Sequence, residues 1–234
     1  MKNIYEINDD SGQVIFSCRD LIECHDFVGT GYSYLFAFIG VSTTDIDLKF
    51  NGEAYSLKSD KFEGRLDFDF SVQKLIKTHD VIYIYLNVSS GMYEVGALSL
   101  LKIREDDNNR IWLDMKASLK KIYISSSYIY SGFLSLLDKD TVIIEGKYIQ
   151  DYYSFYCELG YALFGKFGYI GNNLNAVSDI LNDLCQDGRE INIIWKDSEL
   201  SFKAIDNTVP EGYYQSSSDY MVITIEEYCN LVLE

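Results

Sequence analysis

The hydrophobic period of this chain changes once, between residues 135 and 140, and no single type of layer accommodates both patterns. Upstream, short alternating runs dominate. RLDFDFSV, Arg65 to Val72, puts Leu66, Phe68 and Phe70 on one side and Asp67 and Asp69 on the other, the pattern of a half-buried antiparallel strand. DIDLKF and EAYSL flank Asn51-Gly52, a dipeptide suited to a tight reversal, and predict a hairpin. NIYEI, QVIFSC, YLFAFIGV, VIYIYLNV, EVGALSLLKI, RIWLDM and KKIYIS add further strand candidates. About ten short strands without a long helix predict a mainly antiparallel β domain over residues 1–135, either a sandwich or a flattened barrel.

Downstream the period becomes helical. YIYSGFLSLLDKD reads as a connector, and TVIIEG, Thr141 to Gly146, as an apolar strand ending in a turn. Asp151 is placed to cap a helix in which Tyr152, Phe155, Tyr156, Leu159 and Leu163 recur at one face. A second helical run, GYIGNNLNAVSDILNDL, Gly168 to Leu184, precedes the apolar strand INIIW, Ile191 to Trp195. Strand, helix, helix, strand predicts an α/β domain over residues 141–234 with a small parallel sheet. The chain shows no internal repeat.

Charge narrows the partners. The net charge is -16, and residues 141–234 hold 15 acidic against 5 basic side chains. Such a field repels phosphate backbones and anionic lipid, so no nucleic acid and no membrane is expected, and a basic protein fits. The N-terminus has no apolar core of a secretion signal, and no run approaches ~18 apolar residues, which predicts a cytoplasmic protein. Five cysteines at scattered spacings predict reduced thiols, and Asn87-Val88-Ser89 is a chance sequon in that setting.

Chemistry-bearing motifs are sparse. Cys18, Cys24 and His25 lack a fourth ligand and the usual zinc spacing, and Gly29-Thr30-Gly31 lacks the third glycine of a nucleotide loop. With His25 and His79 the only histidines, a histidine-activated nucleophile is not expected. The reading is therefore of a protein with no catalytic residues, no metal and no cofactor. A hydrolase built on paired carboxylates remains an alternative, as does a carbohydrate- or peptide-binding module in the tyrosine-rich β domain.

Capped by Asn173, the second helix places Leu174, Val177, Leu181 and Leu184 on one stripe to dock on the sheet. Asn175, Ser178, Asp179 and Asn182 face outward, with Asp183 at the margin, and Gly168 and Gly171 allow a tight loop presenting Tyr169. IIEGKYI, the helix after it, Tyr169-Ile170-Gly171-Asn172-Asn173-Leu174-Asn175-Ala176 and INIIW, in that order, resemble the barstar family of inhibitors of barnase-type ribonucleases. The resemblance covers 141 to about 196. It carries the family's tyrosine, loop glycine and asparagine, leucine and alanine onto Tyr169, Gly171, Asn173, Leu174 and Ala176. The acidic residue that the family inserts into the nuclease falls at Asp179. Asn175 stands where the family has a first interface aspartate, and Ser178 where it has an interface tryptophan, which implies a different target or a rearranged contact set.

What the resemblance implies is an immunity protein that occludes a basic, nuclease-like toxin in a 1:1 complex. Its toxin-binding set is Tyr169, Gly171, Asn172, Asn175, Ser178, Asp179, Asn182 and Asp183. Past Trp195 the expected third strand falls on YMVITI, or else Thr224-Ile225-Glu226-Glu227 opens a final helix.

Overall fold

The computed structural model describes residues 4–24, 33–43, 45–50, 52–59, 62, 66, 68–88, 92–104, 109–132, 137–212 and 217–234. They form two compact units, Met1–Ile103 and Arg104–Glu234. His25 and Gly29-Thr30-Gly31 lie outside the described residues, as do Asn51, Arg65 and Asp67.

The first unit is built on β1 (Tyr5–Asp9), β2 (Val14–Cys18), β3 (Asp20–Cys24), β4 (Ser33–Ile39), β5 (Ala54–Ser59), β6 (Asp69–Lys77) and β7 (Val81–Val88). They form one sheet in the order β2-β1-β5-β6-β7-β4-β3, with every pairing antiparallel. The two outermost strands are consecutive in the chain, with only Arg19 between Cys18 and Asp20. The sheet must therefore curl until its edges meet. Where they meet, the Ser42 N–H donates to the Ser17 carbonyl at 2.7 Å and the Arg19 N–H to the Ile39 carbonyl at 3.0 Å. This is the flattened barrel. Inside it the expected alternation holds: Leu66, Phe68 and Phe70 are buried with Ile82, Ile84 and Leu86, and Phe36 stacks on Phe68 at 5.6 Å.

The hairpin does not form as expected. Residues 45–50 belong to no strand, because both edges of β5 are occupied, by β1 and β6. EVGALSLLKI is also no strand: Ala97–Arg104 is a helix, α1. Its start is stabilised by a group 75 residues away, the buried carboxylate of Glu23, which accepts from Leu98 N at 3.2 Å, Ser99 N at 2.7 Å and the Tyr93 hydroxyl. A carboxylate at a helix N-terminus supplies the missing acceptor and the favourable charge together.

RIWLDM and KKIYIS are likewise helical, a 3-10 turn at Ile111–Asp114 and the helix α2, Lys120–Ser131. Lys120, Tyr123, Ile124 and Ser127 are among its buried residues and recur at helical spacing. Tertiary contacts override the strand preference of the β-branched and aromatic residues there. Because α2 packs on the helix α3 (Tyr152–Phe164), the second compact unit begins at Arg104, upstream of the 135–140 boundary that the change of period suggested.

The rest of that unit is β8 (Thr141–Glu145), α3, α4 (Leu174–Leu184), β9 (Asn192–Lys196), α5 (Ser198–Asp206), α6 (Ser218–Glu226) and β10 (Asn230–Leu233). The strands form a parallel sheet in the order β10-β9-β8. Asp151 caps α3 as expected, accepting from Ser154 N at 2.9 Å, and the five aromatic and leucine positions of its predicted face are buried. The third strand is NLVL, Asn230–Leu233, later than the YMVITI expected for it. YMVITI lies in α6, whose first turn is tied by Ser218 N and Oγ to the Asp206 carboxylate, both at 2.8 Å, and Thr224 continues that helix without opening another.

No disulfide joins the five cysteines. Burial pushes the thiols of Cys18 and Cys229 up to about 12, so both stay protonated at neutral pH. No helix among the described residues is long and apolar enough to cross a membrane.

Candidate functional site

The site begins where α3 stops. Gly165 turns the chain at φ +82°, and Gly168 then passes so close to α3 that a Cβ on it would lie 2.2 Å from the Gly160 carbonyl oxygen. Three residues on, Gly171 takes φ +98°, and a Cβ there would lie 2.5 Å from that of Ala176. Only glycine meets both demands. Asn173 then caps α4, its Oδ1 accepting from Ala176 N at 3.0 Å, a bond whose loss costs about 1 kcal/mol. Gly171, Asn173 and Ala176 thus form one device that turns the chain and starts the helix.

Along α4, Val177, Ile180, Leu181 and Leu184 are buried. Leu174, expected on this stripe, is half-exposed, and Ile180 takes its place because the stripe centres one turn further along. Asn175, Asp179, Asn182 and Asp183 are exposed, at spacings that align them on one outward face. Asp183 accepts from Gln186 Nε2 at 3.0 Å. Asn172 is half-buried at the head of the helix.

Three of the predicted contact residues do not lie open on this surface. Tyr169 is 1% exposed, because the Tyr128 ring of α2 meets it edge-on at 5.2 Å, and burial pushes its hydroxyl pKa up. Gly171 is buried against Ala176. Ser178 is half-buried, sharing a 2.7 Å hydrogen bond with the hydroxyl of Tyr228, in the turn just past α6. The sequence reading missed Tyr128 because KKIYISSSYIYS was split between a strand and a connector. It missed Tyr228 because no local signal places it beside Ser178.

Two ion pairs, each with a buried carboxylate, hold residues 110–120 to α3. Glu158, 0% exposed, accepts from Arg110 Nε at 2.7 Å and Nη2 at 3.0 Å, and from Glu145 N at 3.2 Å. Burial raises the Glu158 pKa, and Arg110 opposes that shift. Lys120, 1% exposed, donates to Asp151 Oδ2 at 2.6 Å and Ser154 Oγ at 2.7 Å. The Arg110 guanidinium also lies against Tyr148 and Tyr161, 4.3 and 4.5 Å from the ring centroids, in a pocket of about 380 Å³ that includes Asn109, Leu113 and Asp114. Its charge is already matched by Glu158.

The second unit is thus a small α/β domain with a parallel three-stranded sheet and one polar, acidic helix face turned to solvent. Residues 140–209 match the family model Barstar (barnase inhibitor), and this C-terminal region is a barstar-like domain. Searches of curated proteins and of solved structures return no match. The matched segment ends before α6 and before β10, the third strand of the sheet, and begins after α2, which covers Tyr169.

Proposed function

We propose that this protein is a cytoplasmic immunity protein of bacterial competition that binds a basic, nuclease-like toxin 1:1 and occludes its active site without chemistry of its own. The observation that carries the reading is the exposed row Asn175, Asp179, Asn182 and Asp183 on α4, inside a segment that matches the Barstar model. A ribonuclease gathers cations to hold a phosphate, and a carboxylate on a rigid helix can occupy that place through charge-assisted hydrogen bonds. Asp179 is the proposed anchor, with Asp183, Asn182, Asn175 and Asn172 around it. Ser178 sits at the margin. Tyr169 and Gly171, being buried, support this surface from beneath and do not touch the partner. The surplus of acidic residues throughout the domain favours encounter with a basic protein at low salt.

Calorimetric titration against basic ribonuclease domains tests the reading. A binding endpoint at one-to-one is expected, with Asp179→Ala weakening the complex by about 2 to 5 kcal/mol, as for loss of one member of a desolvated charge pair. Asn175→Ala, which removes no charge, should cost less. If Asp179→Ala binds within about 0.5 kcal/mol of the parent, the change expected of a neutral surface substitution, the interface lies elsewhere.

A further inference from the structure

The loop that launches α4 is shaped by side chains outside the family-matched segment. Phe167 adopts φ +49°, a left-handed conformation that a bulky residue takes only when its surroundings enforce it. Here the enforcement comes from α2. The Phe167 ring stacks on Tyr123 at 5.2 Å and meets Tyr130 at 5.5 Å, and its N–H donates to the Tyr123 hydroxyl at 3.3 Å. Tyr128 closes over Tyr169 two residues later. Behind them the Trp112 ring packs on Tyr123 at 5.0 Å and on Tyr161 of α3 at 5.5 Å, and Lys120 pins the start of α2 to Asp151 and Ser154.

We infer that Tyr128, seated in this aromatic clamp, is a positioning residue for the recognition surface, so that the binding element includes the α2 segment and not the family-matched residues alone. The inference rests on the reading that the outer face of α4 meets the partner. The coupling is direct in the chain: the clamp fixes Phe167 to Tyr169, and Gly171 and the Asn173 cap pass that position to the first turn of α4. A loop released from the clamp lets Phe167 relax out of its left-handed conformation, and the cap then samples several positions.

Amide hydrogen exchange of the full-length free protein, resolved by peptide, tests this without a partner. Tyr128→Ala is expected to raise exchange across residues 165–177 by about tenfold while β8 and β9 keep their protection, and Tyr128→Phe is expected to restore the parent pattern. Should Tyr128→Ala fail to fold, Tyr128→Leu, which keeps most of the apolar bulk, must show the same local rise. Unchanged exchange over 165–177, or a rise shared equally by β8 and β9, overturns the inference. A failure of Asp179→Ala to weaken toxin binding would count against the proposed interface instead, so the two failures are told apart.

Discussion

In the β unit Glu23 is buried among neutral donors, two backbone N–H groups of α1, the Gly96 N–H and the hydroxyls of Ser99 and Tyr93. In the barstar-like unit Glu158 and Asp151 are buried against Arg110 and Lys120, cations that precede the family-matched segment. The first arrangement seats a helix that its own unit requires. The second fastens an added layer onto a domain whose family pattern does not include it. A buried carboxylate therefore reads as a cap reached across its own unit in one case and as a tether in the other, and whether its partner lies inside the family-matched segment tells them apart.

The tethers carry the largest expected effect. Lys120→Ala leaves Asp151 buried without its cation and should cost about 3 to 5 kcal/mol in urea unfolding, the range for removing one member of a buried pair. A loss below about 1 kcal/mol, the scale of an exposed pair, would mean that the tether is idle. Glu23→Gln keeps the shape but weakens several hydrogen bonds, and should cost about 1 to 3 kcal/mol with exchange rising first in α1. Asp179→Ala, on the exposed face of α4, should leave the melting temperature within the shift expected for about 0.5 kcal/mol.

The smallest effect sharpens the contrast through pH. Burial raises the Glu158 pKa above its unfolded value, so its contribution favours the folded state below the unfolded pKa and is lost as pH rises through the folded one. Glu145 has the opposite sign: its bond to Lys147 lowers its pKa, and its contribution fades as pH falls. Glu158→Gln removes the first dependence and keeps the second. The stability gap between parent and Glu158→Gln should therefore be wider near pH 5 than at pH 7, and a gap that narrows on acidification would assign the shift the wrong direction.

Legibility followed the range of the interactions. β1, β2, β4, β7, β8, β9 and α3 could be read because their burial repeats within a few residues, as with Ile82, Ile84 and Leu86 or Phe155, Tyr156 and Leu159. α1 and α2 could not, since Glu23 and Asp151 reach them from distant strands and caps. The hairpin at Asn51-Gly52 failed for a related reason: the turn signal is local, whereas the occupancy of both edges of β5 is not. At the site, the cap and the outward positions of α4 were legible from helical spacing. The burial of Tyr169 was not, because Tyr128 lies 41 residues earlier in a stretch that reads as a connector.

The junction at Arg19 also bears on how the β unit meets other chains. A sheet ordinarily ends in two strands whose free N–H and C=O groups invite strand addition or edge-to-edge aggregation. Here β2 and β3 are two arms of one bent segment, and at the bend Ser17 and Arg19 spend their backbone groups on Ser42 and Ile39. A ligand seeking to extend the sheet at that bend would first have to displace these two bonds, so a visiting peptide has less to gain there from its backbone than from side-chain contacts.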